Sequence, residues 1–151
     1  MKTKYTFPII AMSFITIMAV YFLINPSYEK SLEAKYYYEI GDYKESYSLA
    51  KESFSMDVYN RMAATIMAQS TISLKYESYI KQAQEYLKQI NEMANKESIS
   101  DADRARIKLM SEIVTNSYSK LAPSIITDSE LVVEAKKHHD NFEKLLEKVT
   151  K

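Results

Sequence analysis

Apolar positions follow two different rules along this chain. From Phe7 to Ile24 they are almost continuous, 18 residues without a charge. After Asn25 they recur every three or four residues among charged and hydroxyl side chains. The first pattern predicts one helix of about 27 Å, close to the hydrocarbon core of a bilayer. The second predicts amphipathic helices that pack on one another. The expected fold is all-α. A single N-terminal transmembrane helix occupies residues 1–25, and residues 26–151 form a soluble array of five or six antiparallel helices.

Capping and turn residues divide the second part. Ser27 is placed to cap a helix over 28–40, with Leu32, Tyr36 and Ile40 on its inward face. Gly41 stands at the C′ position. Asp42, with Glu45 three residues on, opens the next helix as a capping box. That helix runs to about Ser55 and carries the stripe Tyr43, Tyr47, Ala50 and Phe54. Asp57 is expected to open a third, well-enclosed helix with Val58, Met62, Ala63, Ile66 and Met67. Ser70-Thr71-Ile72-Ser73 favours a break over a continuous rod, since short hydroxyl side chains compete with helical hydrogen bonds. Beyond it Tyr76, Ile80, Ala83, Leu87, Ile90 and Ala94 fall in line, with Glu77–Lys81 and Glu92–Lys96 as i,i+4 pairs. Ser100 with Asp103 can cap a fifth helix, whose stripe of Ile107, Met110, Val114, Tyr118 and Leu121 runs toward Pro123. Thr127-Asp128-Ser129-Glu130 reads as the capping box of the last helix. There Leu131, Ala135, His138, Phe142, Leu145 and Val149 form a heptad-like seam, read as one face packed on its own domain.

Ala34 and Tyr37 on one helix, Gly41-Asp42-Tyr43 at the turn and Phe54 late in the next helix resemble a tetratricopeptide repeat, a helix–turn–helix of about 34 residues. The chain departs from that pattern at Lys30 and Glu33, where the family prefers Trp and Leu. Ser46 and Ser53 replace its small alanines, Ala50 replaces its aromatic residue, and no proline closes the unit. Tyr79-Ile80-Lys81-Gln82-Ala83 echoes Tyr43 to Tyr47 as a second, weaker unit after a longer turn. The resemblance spans residues 27–95. It implies a stacked helical-hairpin scaffold of a kind that binds peptides or proteins, and it implies no catalysis.

The apolar run is either an uncleaved anchor or a cleaved export signal. Lys2 and Lys4 supply the basic flank that both require. Tyr21-Phe22-Leu23-Ile24 puts large side chains where a cleavage site wants small ones, which favours the anchor. Tyr5, Phe7, Tyr21 and Phe22 bracket the run in the manner of interfacial aromatics. The N-terminal flank is the more basic, since Lys30 and Lys35 are diluted by Glu29, Glu33 and Glu39. The expected topology has the N-terminus in the cytoplasm of a bacterium and the C-terminal domain outside its inner membrane.

Charge narrows the functions. Lys2 and Lys4 are the only charges before Glu29, so residues 26–151 hold 18 basic and 20 acidic side chains, a net −2. That balance does not suit nucleic acid. No cysteine and one glycine leave no thiolate zinc site and no Gly-rich phosphate loop. Catalytic motifs are absent, and neither an enzyme nor a cofactor is expected. His138 and His139 can each be paired with a carboxylate four residues away, Glu134 and Glu143. They point about 100° apart on a helix, so no metal site is expected. His138 reads as a seam residue and His139 as solvated.

Tyrosine is the compositional outlier. Ten of the 13 lie between Tyr28 and Tyr86. Tyr36, Tyr37 and Tyr38 fan over about 200° and cannot share one core face. Together with Tyr43 they are the candidate partner-binding residues, Tyr38 being expected exposed and Tyr37 structural. Packing in a core is the competing role for such rings. The expected function is a membrane-anchored protein–protein interaction module, acting as adaptor or assembly factor. The alternatives are a structural subunit of an inner-membrane complex and an exported chaperone-like holdase released by cleavage.

Overall fold

The structure, a computed structural model, describes residues 6–96, 98–122 and 127–150, with the side chains of Phe22 and Leu23 outside that description. Among them are six α-helices and no strand. They are α1 (Thr6–Ile24), α2 (Pro26–Glu39), α3 (Tyr43–Met56), α4 (Arg61–Ala94), α5 (Asp101–Tyr118) and α6 (Ser129–Thr150). The all-α expectation holds. Contacts gather the chain into two compact units, one ending at Thr71 and the other beginning at Ile72. The division falls inside α4.

Every described side chain of α1 is exposed, on all sides of the helix. No single helix among the described residues is long and apolar enough to cross a membrane. Thr6–Tyr21 and Pro26–Glu39 meet that requirement only as a pair, bent by 70°.

In the first unit α2 and α3 form an antiparallel hairpin. Asn25, and not Ser27, caps α2: its carboxamide oxygen accepts from Ser27 N at 3.0 Å. Pro26 suits the first helical turn, where its missing N–H is not needed. Gly41 then takes φ +83°, the left-handed conformation a C′ residue requires. Asp42 caps α3 by accepting from Glu45 N at 3.0 Å. The inward face of α2 is Ser27, Ser31 and Ala34. The stripe expected to face inward is turned out: Leu32 is 55 % exposed, Tyr36 61 % and Ile40 57 %.

Small inward side chains let the backbones approach, and hydroxyls bridge them. Ser27 Oγ donates to Ser53 O at 2.9 Å, and Ser53 Oγ donates to Ser27 O at 2.6 Å. Ser46 Oγ donates to Ala34 O at 2.8 Å and lies 2.8 Å from Ser70 Oγ on α4. Asn60 Nδ2 donates to Ser27 Oγ at 2.9 Å and reaches the hydroxyls of Ser31 and Ser53 at 3.3 Å. All these side chains are buried. The apolar part of this core is Ala34, Leu49, Ala50 and Ile66, with Tyr37 and Met67 against it.

Two expectations about α4 fail. Asp57 does not open it: a turn intervenes, and Asn60 Oδ1 accepts from Ala63 N at 3.1 Å instead. Nor does the helix break at Ser70–Ser73. Thr71 Oγ1 donates back to Met67 O at 2.7 Å, and Ser70 and Ser73 are buried in contacts. The hydroxyls are absorbed by the helix and its neighbours, so the rod continues to Ala94 and Tyr79–Ala83 lies in its interior. Val58 and Met62, expected within the enclosed arc, are exposed.

The second unit is built on rings and branched chains. Tyr76, Tyr79, Ile80, Ala83, Ile90 and Met93 of α4 meet Ile107 and Val114 of α5 and Ala135 and Phe142 of α6. Ser100 and Asp103 form the expected capping box of α5. Lys96 pairs with Asp103 at 2.9 Å, not with Glu92. The Pro123 stop lies outside the described residues, and α5 ends earlier, at Tyr118. At the head of α6 the Asp128 carboxylate accepts from Glu130 N at 2.9 Å. The α6 seam packs on its own unit through Ala135 and Phe142, with Leu131, Leu145 and Val149 half-buried against the core.

Candidate functional site

The four candidate tyrosines occupy three environments. Tyr43 is buried at the start of α3. Tyr37 is half-buried against the core of the first unit, as a structural residue would be. Tyr38 is not the exposed ring: it is half-buried, edge-on to Tyr43 with centroids 5.3 Å apart. Tyr36 is the one that stands out in solvent, edge-on to Tyr37 at 5.6 Å. The reason is the inward face of α2. Ser27, Ser31 and Ala34 aim at α3, so Tyr38 falls on their side and Tyr36 on the opposite one.

Tyr36 is not alone there. Leu32 and Ile40 lie four residues to either side, so the three form one exposed apolar stripe along α2. Glu29, Glu33 and Glu39 are exposed beside it, and none of them forms an ion pair among the described residues. Sequence reasoning found this stripe and assigned it to the wrong side. The available signal was the series Ser27, Ser31, Ala34, which offers a closer helix contact than Leu32, Tyr36, Ile40. On the inner side Lys35, Tyr38, Glu39, Arg61, Met62 and Gln69 line a groove of about 470 Å³ between α2 and α4.

The histidines sit on α6. His138 is half-buried, its Nε2 3.8 Å from Glu134 and its Nδ1 without a partner among the described residues. His139 is not solvated: it is half-buried with its ring centroid 4.2 Å from that of Tyr118. Its Nδ1 lies 3.5 Å from Asp140 and 3.8 Å from Glu143. Donor atoms of His139, Asp140 and Glu143 fall within 4.8 Å of one another. Lys136 already occupies Asp140 at 2.7 Å, and its hydrogen bond holds that carboxyl below the usual carboxylate range. An ammonium in the same place opposes a second cation.

Burial pushes the Tyr79 phenol up, with smaller contributions from Tyr118 and Asp140, and its hydroxyl has no partner among the described residues. Tyr76 is raised by the same burial and by Tyr118. Both are core rings beside Ile80 and Ala83. The Asp103 carboxyl is held low by hydrogen bonds from Lys96 and Ser100, which is the chemistry of a helix cap.

Compared with known proteins, the chain matches no protein family, no curated protein and no solved structure.

Proposed function

We propose that this protein is a membrane-anchored helical interaction module, with α1 in the inner membrane of a bacterium, the chain that follows α1 outside the cytoplasm, and the outer stripe of α2 as its partner contact. The observation that carries this reading is where the apolar side chains of α1 and α2 point. In α1 they point outward on every side, which suits hydrocarbon and opposes water, at about 1.5–3 kcal/mol per large side chain. In α2 they point away from their own core as a stripe beside three carboxylates that form no ion pair among the described residues. A partner with an apolar strip flanked by Lys or Arg complements that surface. The uncharged 18-residue run and its basic flank support the anchor and its orientation. The hairpin resemblance around Gly41 supports an adaptor or assembly role.

Two measurements on the full chain test this. Carbonate-washed membranes should retain the protein, and a photo-crosslinker placed at position 36 should trap a partner. Tyr36→Ala should lower partner recovery about thirtyfold, as a truncated interface ring costs about 2 kcal/mol or more. Helicity should not change, because the ring lies outside the core. Release by carbonate would remove the anchor. Undiminished recovery from Tyr36→Ala would remove the stripe.

A further inference from the structure

The turn between α3 and α4 is the most exposed apolar feature outside α1. Tyr59 is 86 % exposed and Val58 60 %, with Met56 and Met62 also open on either side. This is no loose loop. The Asp57 carboxylate accepts from Tyr59 N at 2.9 Å, and Asn60 N donates to Asp57 O at 3.0 Å. Asn60 is itself buried and held by three serine hydroxyls. The backbone on both sides of Val58 and Tyr59 is therefore fixed, and the two side chains cannot fold back onto the core.

What Asn60 is held to sets the location. Its carboxamide lies 2.9 Å from the hydroxyl of Ser27, three residues after α1 ends at Ile24. Ser53, at the end of α3, is bonded to the same Ser27 in both directions. Three residues of chain reach no more than about 11 Å even when extended. The tip of this turn thus stands beside the point where α1 gives way to α2. Its only carboxylate, Asp57, is engaged within the turn, and the next charge along the chain is Arg61, an exposed residue at the start of α4 that also borders the groove with α2.

From this the geometry points to a second membrane contact: Val58 and Tyr59 dip into the headgroup region of the bilayer that holds α1, with Arg61 at the phosphate level. The inference rests on the anchor reading above and adds that the first unit is pinned to the surface at two points. A ring with an apolar body and a polar tip suits that depth, and tyrosine is enriched there. Arginine satisfies a phosphate by hydrogen bonds as well as charge. Continuity with α1 is what selects lipid over a protein partner for this patch.

The chain has no tryptophan, so one introduced ring is a unique reporter. Full-length Tyr59→Trp, Tyr21→Trp and Tyr36→Trp variants would each be reconstituted in phosphatidylcholine–phosphatidylglycerol vesicles, with and without phosphatidylcholine brominated near the headgroup. Circular dichroism would check that each keeps its helicity. The expected result is blue-shifted emission and bromide quenching for Tyr59→Trp and Tyr21→Trp, with neither for Tyr36→Trp. A quenched Tyr21→Trp with an unquenched, solvent-like Tyr59→Trp would overturn this contact and leave the anchor standing. An unquenched Tyr21→Trp would overturn both. Equal quenching of Tyr36→Trp and Tyr59→Trp would show general adsorption of the unit and overturn the specific contact.

Discussion

The two units close their cores by different chemistry. In the first, α2 meets α3 and the start of α4 through Ser27, Ser31, Ser46, Ser53, Ser70 and Asn60, which exchange hydrogen bonds across the gap. In the second, α4, α5 and α6 meet through Tyr76, Ile80, Ile107, Val114 and Phe142. The first contact depends on donor and acceptor placement at close range. The second depends on filling volume. Serine and alanine at helix contacts, with hydroxyls bridging them, are also how helices associate in membranes, where apolar area alone gives no advantage.

The comparison can be broken from either side. Phe142 is fully buried in the second unit, so Phe142→Ala should cost about 3–5 kcal/mol through lost contact and a cavity. Phe142→Leu, which keeps most of the volume, should cost far less. Segment-resolved hydrogen exchange should place the loss in α5, α6 and the second half of α4. Equal loss in α2 and α3 would mean that the units do not open separately.

Asn60 offers the opposite test. Asn60→Ala removes a helix cap and the donor to Ser27, for an expected cost of about 2–3 kcal/mol. Asn60→Leu keeps the branched shape and more than fills the native volume but brings an apolar chain against three hydroxyls, and should be no better than the alanine variant. If leucine rescued what alanine lost, volume and not hydrogen bonding would govern the first unit, and the contrast would collapse. Exchange should speed in α2 and α3 and at the start of α4.

The same contrast explains what could be read in advance. Capping was legible in part: Asp42 and the Ser100–Asp103 box act where their spacing puts them and Gly41 has the backbone only glycine takes readily, whereas Ser27 and Asp57 give way to Asn25 and Asn60. The second unit was legible because its contact faces are apolar, so periodicity and burial agree from Tyr76 to Phe142. In the first unit the apolar periodicity of α2 points to the wrong face. Hydropathy counts serine as polar, so the Ser27–Ser31–Ala34 face looked like surface and Leu32–Tyr36–Ile40 like core. The break expected at Ser70–Ser73 fails for a separate reason: the hydroxyls that compete with helical hydrogen bonds in isolation are buried within a continuous α4. Tyr38, expected outside because it points about 100° from Tyr37, instead shares the side of Ser27, Ser31 and Ala34, and Tyr36 is the exposed ring. The outward stripe, the strongest candidate contact, was hidden by the inversion of α2.

The smallest effect concerns charge at the edge of the second unit, where Asp103 joins the cap of α5 to Lys96. Its carboxyl is held below the usual range chiefly by the hydrogen bond from Lys96, then by that from Ser100. A carboxyl whose folded value lies below its unfolded one stabilises the fold at neutral pH, and this contribution is lost as pH falls. The loss starts near the unfolded value of about 4 and is complete below the folded one. Asp103→Asn removes this titration while keeping a side chain that still accepts a hydrogen bond. The stability gap between native chain and variant should be small at pH 7 and should narrow as the pH is taken from about 5 to below 3. Ser100→Ala, which loses the cap itself, should cost about 0.5–2 kcal/mol. A gap between native chain and Asp103→Asn that widened in acid would reverse the sign of the argument, and would mean that the pair with Lys96 does not govern this carboxyl.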